Sequence, residues 1–298
     1  MTVAAYGIAF PASRGVLAPA ARLLARLSAS PTGAYATWVL SSTYAGALLR
    51  VRRSSDNTEQ DIGRAGGFLD VAALLAFVGA GNGFVTKWYD QSGHAHDFSQ
   101  ATAANQPQIV SGGALITDLN GLPSPQFNGT SQYLGGPPQE QVFTNAGWSS
   151  FGLARPLAGG ANASQPYTGP QVLGDIGWIF NGYGGPSVFT GGYWASIFNG
   201  VTIPVSFPST HISCLTYAAP GTVKGWIDGG AATSANTSVN PFTVHTGAAM
   251  KIGATQTGLL SGNICAVLAF DTAAGLADIN SIGQDWAAKA GLSWTTAT

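Results

Sequence analysis

The sequence predicts a mainly β protein, a two-sheet sandwich of the jelly-roll kind with a few short helices, on three observations. Charge is scarce: 12 basic and 13 acidic residues among 298, or 8%, against roughly 25% in an average soluble domain. Turn formers are abundant, with 41 glycines and 16 prolines. Short aromatic and β-branched stretches recur between those turns without heptads or a fixed-period repeat, the pattern of many short strands closing into a sandwich. A hydrophobic fraction of 45% supplies a core and excludes charge-driven disorder. A net charge of −1 argues against a protein that tracks phosphates, which needs a basic face.

In chain order, residues 16–28 (VLAPAARLLARLS) read as a helix with Leu17, Leu24 and Leu27 on one stripe and Arg22 and Arg26 on another. Ser30-Pro31-Thr32-Gly33 breaks it. Residues 1–35 are therefore expected to form an N-terminal arm, packed on its own domain or docked on a partner, ahead of one sandwich domain over 36–298. The apolar start lacks a basic segment before it, so no cleaved leader is expected. Residues 38–53 read as strand and turn, and 69–79 as a short apolar helix with Asp70 at its N-terminus. FVTKWYDQ (84–91) and SPQFNGTSQYL (124–134) read as strands with turns. HISCLTYAAPGTVKGWIDGG (211–230) is the clearest hairpin, turning at Pro220-Gly221. MKIGAT (250–255) and NICAVLAF (263–270) read as buried strands, and 275–291 as an amphipathic helix carrying Leu276, Ile279, Ile282 and Trp286. Cys214 and Cys265 lie in apolar strands and read as buried thiols, with one cross-strand bridge as the alternative.

Three further segments carry residues of chemical interest. Arg53-Ser54-Ser55-Asp56, a small Ala-rich helix, and Tyr89-Asp90-Gln91-Ser92-Gly93 followed by Asp97 and Gln100 occur in that order. This R-x-S-D … Y-D-Q-S-G-x-x-x-D-x-x-Q series resembles the catalytic domain of the α-L-arabinofuranosidase B family, best over residues 35–110. The C-terminal third resembles concanavalin A-like and laminin G-like sandwiches. Both resemblances imply a jelly roll. The family's retaining hydrolases use two carboxylates about 5 Å apart. By the resemblance, the nucleophilic Glu falls on Phe198 within Ala195–Gly200, and the acid/base Asp falls on Thr255 after Ile252-Gly253-Ala254. Neither side chain forms a glycosyl ester or protonates a leaving group, so the chain is expected not to be an enzyme and to need no cofactor.

Asp90, Gln91 and Ser92 suit a sugar-reading loop, the competing reading being a turn whose side chains satisfy backbone donors. Tyr183, Tyr193, Trp194 and Asn199 in the Gly-rich stretch 180–200 suit a glycan platform or else core packing. His94 and His96 beside Asp97 form a weak metal candidate, because no third ligand cluster is visible. Arg52 and Arg53 beside Asp56 are expected to form an internal ion network. Short relatives of this kind resemble chains encoded in bacteriophage structural regions. That resemblance implies a virion protein made in the bacterial cytoplasm: a head decoration, head fibre, collar or tail component. It would be homo-oligomeric (commonly a trimer) with other virion proteins as partners, and bind neither nucleic acid nor membrane. The alternatives are a carbohydrate-binding adhesin reading host glycans and an active glycosidase.

Overall fold

The computed structural model describes residues 22–118, 120–157, 163–168, 178–184, 188–195, 197–236, 242–244, 246–247, 249–254 and 259–298. The N-terminal half contributes β1 (Gly33–Ala36), β2 (Leu49–Arg53), β3 (Glu59–Ile62), β4 (Arg64–Ala65) and β5 (Phe68–Leu69). After α1 (Val71–Val78) come β6 (Gly83–Trp88), β7 (Phe98–Ser99), β8 (Gln108–Ser111), β9 (Ala114–Leu115), β10 (Gln126–Asn128) and β11 (Leu134–Pro138). The second half contributes β12 (Gly147–Pro156), β13 (Ala163–Thr168), β14 (Trp178–Gly184), β15 (Val188–Ala195) and β16 (Ile197–Pro204). It ends with β17 (His211–Ala218), β18 (Thr222–Ile227), β19 (Thr233–Asn236), β20 (Ala249–Ile252), β21 (Ser261–Phe270) and α2 (Leu276–Ala290).

These strands pair antiparallel into the two layers of a mainly β sandwich. The first sheet runs β3–β2–β6, continues through β7 to β11 and β20, and ends β13–β14–β15–β16. The second runs β19–β18–β17–β12–β21, with β1 and β10 sharing the far edge of β21. A single pair, Gln126 with Gln108, joins the sheets at β10–β8.

The central strands of the second sheet, β12, β17 and β21, are buried on both faces. Along β21, Ile264, Val267 and Ala269 enter the core between the sheets, while Cys265, Ala266, Leu268 and Phe270 enter a second core beneath α2. A strand covered on both faces reads as one apolar run, which is why NICAVLAF does not alternate. The helix supplies Ile279, Ile282, Trp286, Ala287 and Ala290 to that second core. Both helices end where their sequence says. Asp70 caps α1 by accepting from Ala73 N at 3.0 Å, and Gly291 closes α2 in the left-handed conformation. Cys214 and Cys265 are buried free thiols. The hairpin at Pro220-Gly221 forms with Ala218 opposite Thr222.

The N-terminal boundary differs from the expected one. Residues 22–35 are built into the domain, and residues 1–21 lie outside the described residues. Leu23 to Arg26 form a short 3-10 turn with Leu23 buried beneath α2. Asp278 of α2 accepts from Ser28 N and Ala29 N, and Asp285 takes Arg26 at 2.7 Å. Then β1 pairs with the C-terminal half of β21, Gly33 opposite Ala269. At the other end, Gly229 lets the last residues join the same layer. A Cβ there would lie 1.7 Å from Thr295 O, where Gly230 N donates to that carbonyl and Thr295 N donates to Asp228 O.

Trp286 is fully buried against Trp38, edge to face at 6.4 Å. Trp286→Ala is expected to cost about 3–5 kcal/mol of unfolding free energy, read as a shift in the urea midpoint at unchanged slope.

Candidate functional site

The Tyr89–Gln100 segment is a knot around β1. Strand β1 pairs on one edge with β21, which leaves backbone groups on its other edge facing Asp90 and Gln91. The Asp90 carboxylate accepts four hydrogen bonds: Ala34 N at 2.9 Å and Ser92 N at 2.8 Å on Oδ1, Ser92 Oγ at 2.6 Å and His96 N at 3.1 Å on Oδ2. Gln91 N donates to Ala34 O at 2.7 Å. The Gln91 amide then reaches past the strand, donating to Trp38 O at 2.9 Å and accepting from Leu40 N at 2.8 Å. Together the two side chains and one backbone amide stand in for a missing neighbouring strand. Both residues are buried, at 5% and 2% exposure.

The rest of the motif extends the knot. His96 Nδ1 donates to Thr32 O, and the Tyr35 hydroxyl donates to His96 O. Burial, then the nearby Asp90 and Asp97, push the Tyr35 hydroxyl well above its ordinary value. Asp97 accepts from Asp90 N and pairs with Lys87 at 3.2 Å. Gln100 donates to Tyr133 O, and its own carbonyl accepts from Gln106, whose amide oxygen takes Arg52 Nε at 2.7 Å. The R-x-S-D segment works the same way on α1. Arg53 grips Asp56 with two hydrogen bonds, donates to Phe77 O and lies over the Phe77 ring. That grip holds the Asp56 carboxyl well below the usual range. Of the expected group, Arg53 and Asp56 form the ion pair, while Arg52 turns away to Gln106 and Asn57.

The other expected residues do not converge on this loop. His94 and His96 stack at 5.5 Å, but Asp97 turns away to Lys87; among the described residues no group of three metal-ligating side chains forms. Tyr193 is fully buried between the sheets, its ring 5.2 Å from Tyr217 and 5.5 Å from Phe242. Of its two readings, glycan platform or core packing, this is core packing: the aromatic fills the core that β15 covers. Asn199, the register partner of Tyr193, is buried at 6% exposure. Trp194 and Phe198 are register partners in β15 and β16, and Tyr183 stands in β14; the side chains of all three lie outside the described residues, as does Thr255.

The pair of His211 with Asp228 was not foreseen. His211 Nδ1 donates to Asp228 Oδ2 at 2.7 Å and Nε2 donates to Ser206 O at 2.9 Å, while Asp228 Oδ1 accepts from Ile212 N. Two acceptors for two ring nitrogens require the imidazolium. Burial works against the charge, but the hydrogen bonds to Asp228 and Ser206 outweigh it and raise the His211 pKa above 6.5. The signal was in the hairpin register. Ser213 opposite Ile227 sets Ile212 beside Asp228.

Part of the sequence and the fold have known counterparts. The model of the α-L-arabinofuranosidase B catalytic family matches residues 27–119, the stretch from the N-terminal segment through β9 that holds both knots. Among solved structures, the fold is similar to a glutamate-to-glutamine mutant of GH54 α-L-arabinofuranosidase soaked with 4-nitrophenyl α-L-arabinofuranoside, at TM-score 0.67 and 16% identity over 86% of this chain and 62% of that one. It is similar to an arabinofuranosidase complexed with arabinofuranosyl-α-1,2-xylobiose, at TM-score 0.67 and 17% identity with the same coverage. A GH54 α-L-arabinofuranosidase soaked with a cyclic sulfate inhibitor gives TM-score 0.63 and 16% identity, again over 86% and 62%. The chain thus spans about 62% of the length of these structures. Comparison with curated proteins finds none that matches. The fold is that of the arabinofuranosidase sandwich, and the resemblance read from the motifs holds.

Two outcomes check this assignment of roles. Asp90→Ala strands three backbone amides and one hydroxyl, and should cost about 3 kcal/mol or more of stability, measured by urea unfolding. For His211, the raised folded-state pKa means its contribution is complete below the unfolded value near 6.5 and fades as pH rises through the folded value. The stability gap between wild type and His211→Gln should therefore narrow between pH 6 and pH 9; a gap independent of pH would contradict the imidazolium.

Proposed function

We propose that this chain binds carbohydrate without hydrolysing it. The observation that carries the reading is the replacement, by the resemblance, of the family's nucleophilic Glu by Phe198 in β16, joined by Thr255 at the acid position. The motif residues support it from the other side, since Asp90, Gln91 and Asp97 have their carboxylate and amide groups engaged within the fold and are not free to act on substrate. Asp228, a carboxylate in the C-terminal half, is held by His211 and Ile212 N. What remains is a sandwich of the arabinofuranosidase type whose surface presents sugar-compatible groups.

The setting we propose is the surface of a bacteriophage particle, in a homo-oligomer held to other virion proteins. What motivates it is the resemblance of the R-x-S-D … Y-D-Q-S-G series to chains of bacteriophage structural regions, together with the low charge of the chain. Residues 22–35 are part of the domain and do not serve as a free arm. Mass spectrometry of purified virions should find the chain in stoichiometric amount; its absence from them would remove this setting.

Purified protein incubated with 4-nitrophenyl α-L-arabinofuranoside should release no nitrophenol above buffer, while immobilised glycans retain it. Release that disappears on substitution of a single aspartate would overturn the non-hydrolytic reading.

A further inference from the structure

Directly opposed residues of antiparallel strands project to the same side of a sheet. In the first sheet Lys87 opposes Ser99, Ser99 opposes Gly135, and Gly135 opposes Lys251. Four residues from β6, β7, β11 and β20 thus form one transverse row. Their neighbours Trp88, Phe98, Leu134 and Ile252 are fully buried, which places the row on the face turned away from the core. At about 4.8 Å per strand, the two lysine backbones stand roughly 14 Å apart.

Little side chain lies between them. A Cβ at Gly135 would meet nothing nearer than Ser99 O at 3.7 Å. The row is a trough, floored by Ser99 and Gly135. On one side the Lys87 ammonium lies 5.3 Å from the centre of the Tyr89 ring; on the other the Lys251 ammonium lies 5.2 Å from that of Tyr133. Beyond Lys87, the Tyr89 hydroxyl donates to Asp61, and Asp61 also takes two hydrogen bonds from Arg50. Lys87 is paired with Asp97 at 3.2 Å. Lys251 has no carboxylate partner among the described residues.

We propose that this trough is a binding site for an acidic oligosaccharide, its carboxylate or sulfate meeting Lys251 and its rings crossing Gly135 and Ser99 toward Tyr89. The inference rests on the reading that the chain binds carbohydrate and assigns that reading a site and a ligand class. A floor of one serine and one glycine admits a sugar ring flat against the sheet. Tyrosine rings and lysine stems give apolar walls. The Lys87–Asp97 and Arg50–Asp61 pairs hold donors and acceptors in fixed positions for hydroxyl groups while adding no net charge. Lys251, with no carboxylate partner among the described residues, selects an anionic group by charge complementarity.

The test applies the full chain to an array of neutral, carboxylated and sulfated oligosaccharides, followed by titration calorimetry on the best binder. Binding to an acidic oligosaccharide is expected. Gly135→Leu, which fills the trough at a position with room for a side chain, should weaken binding at least ~10-fold with the melting temperature unchanged. Lys251→Gln, on a surface side chain, should weaken it about 5-fold and flatten its salt dependence. The carboxylated and sulfated arms identify the anionic group. Acidic-glycan binding that survives both substitutions overturns the trough and leaves the carbohydrate reading intact. Binding to neutral glycans alone overturns the ligand class. Binding to none overturns both.

Discussion

The fold depends on closing the free edge of β1. A four-residue strand at the rim of a doubly covered sheet exposes amides and carbonyls that neither core can satisfy, and an unsatisfied buried amide costs about 1–3 kcal/mol. Asp90 and Gln91 meet Ala34, Ala36, Trp38 and Leu40 with side chains in place of a strand. Natural sheets blunt open edges with loops and charges; here the loop also carries Tyr35 and His96 into the same network. Once β1 is fixed, β21 is paired along both edges and the layers above and below it follow.

That reading separates two roles that one motif suggests at once. A carboxylate, an amide and a hydroxyl in succession are what a sugar-binding loop needs, and equally what a backbone-capping turn needs. Asp90 is 5% exposed and accepts four hydrogen bonds from its own chain, so its acceptor sites are filled. The series that signals the arabinofuranosidase fold is a record of how β1 and α1 are held, and it persists in a chain whose resemblance places Phe198 and Thr255 at the acid positions. Ligand contacts then have to come from elsewhere on the surface, and the outward row of the first sheet has the polar pairs and the open floor.

Much of the fold was legible because it is local. Asp70 before an apolar run, Gly291 after one, and Pro220-Gly221 between alternating strands each fix an element from neighbouring residues alone. What was hidden is long-range. Gly-Ala-Tyr-Ala in β1 neither alternates nor carries β-branched residues, and its partners lie at Ala266 to Ala269, so residues 33–35 read as part of an arm. Tyr193 sits in a glycine-rich strand that reads as a loop platform, and only the meeting of β15 with Tyr217 and Phe242 shows it to be core. The Lys87–Lys251 row needs the register of four strands at once. The turn reading of Asp90 to Ser92 was open in the sequence, and the burial of Asp90 and Gln91 with their hydrogen bonds to backbone groups favours it.

Native-state hydrogen exchange at Ala34 and Leu40 probes the edge closure most directly. If the Asp90 and Gln91 side chains hold β1, both amides should exchange only through global unfolding, with protection equal to that of the β21 core, and saturating saccharide should leave their opening no easier. Fast exchange by local opening, or protection that arises only when saccharide binds, would show that the loop serves a ligand instead of the fold.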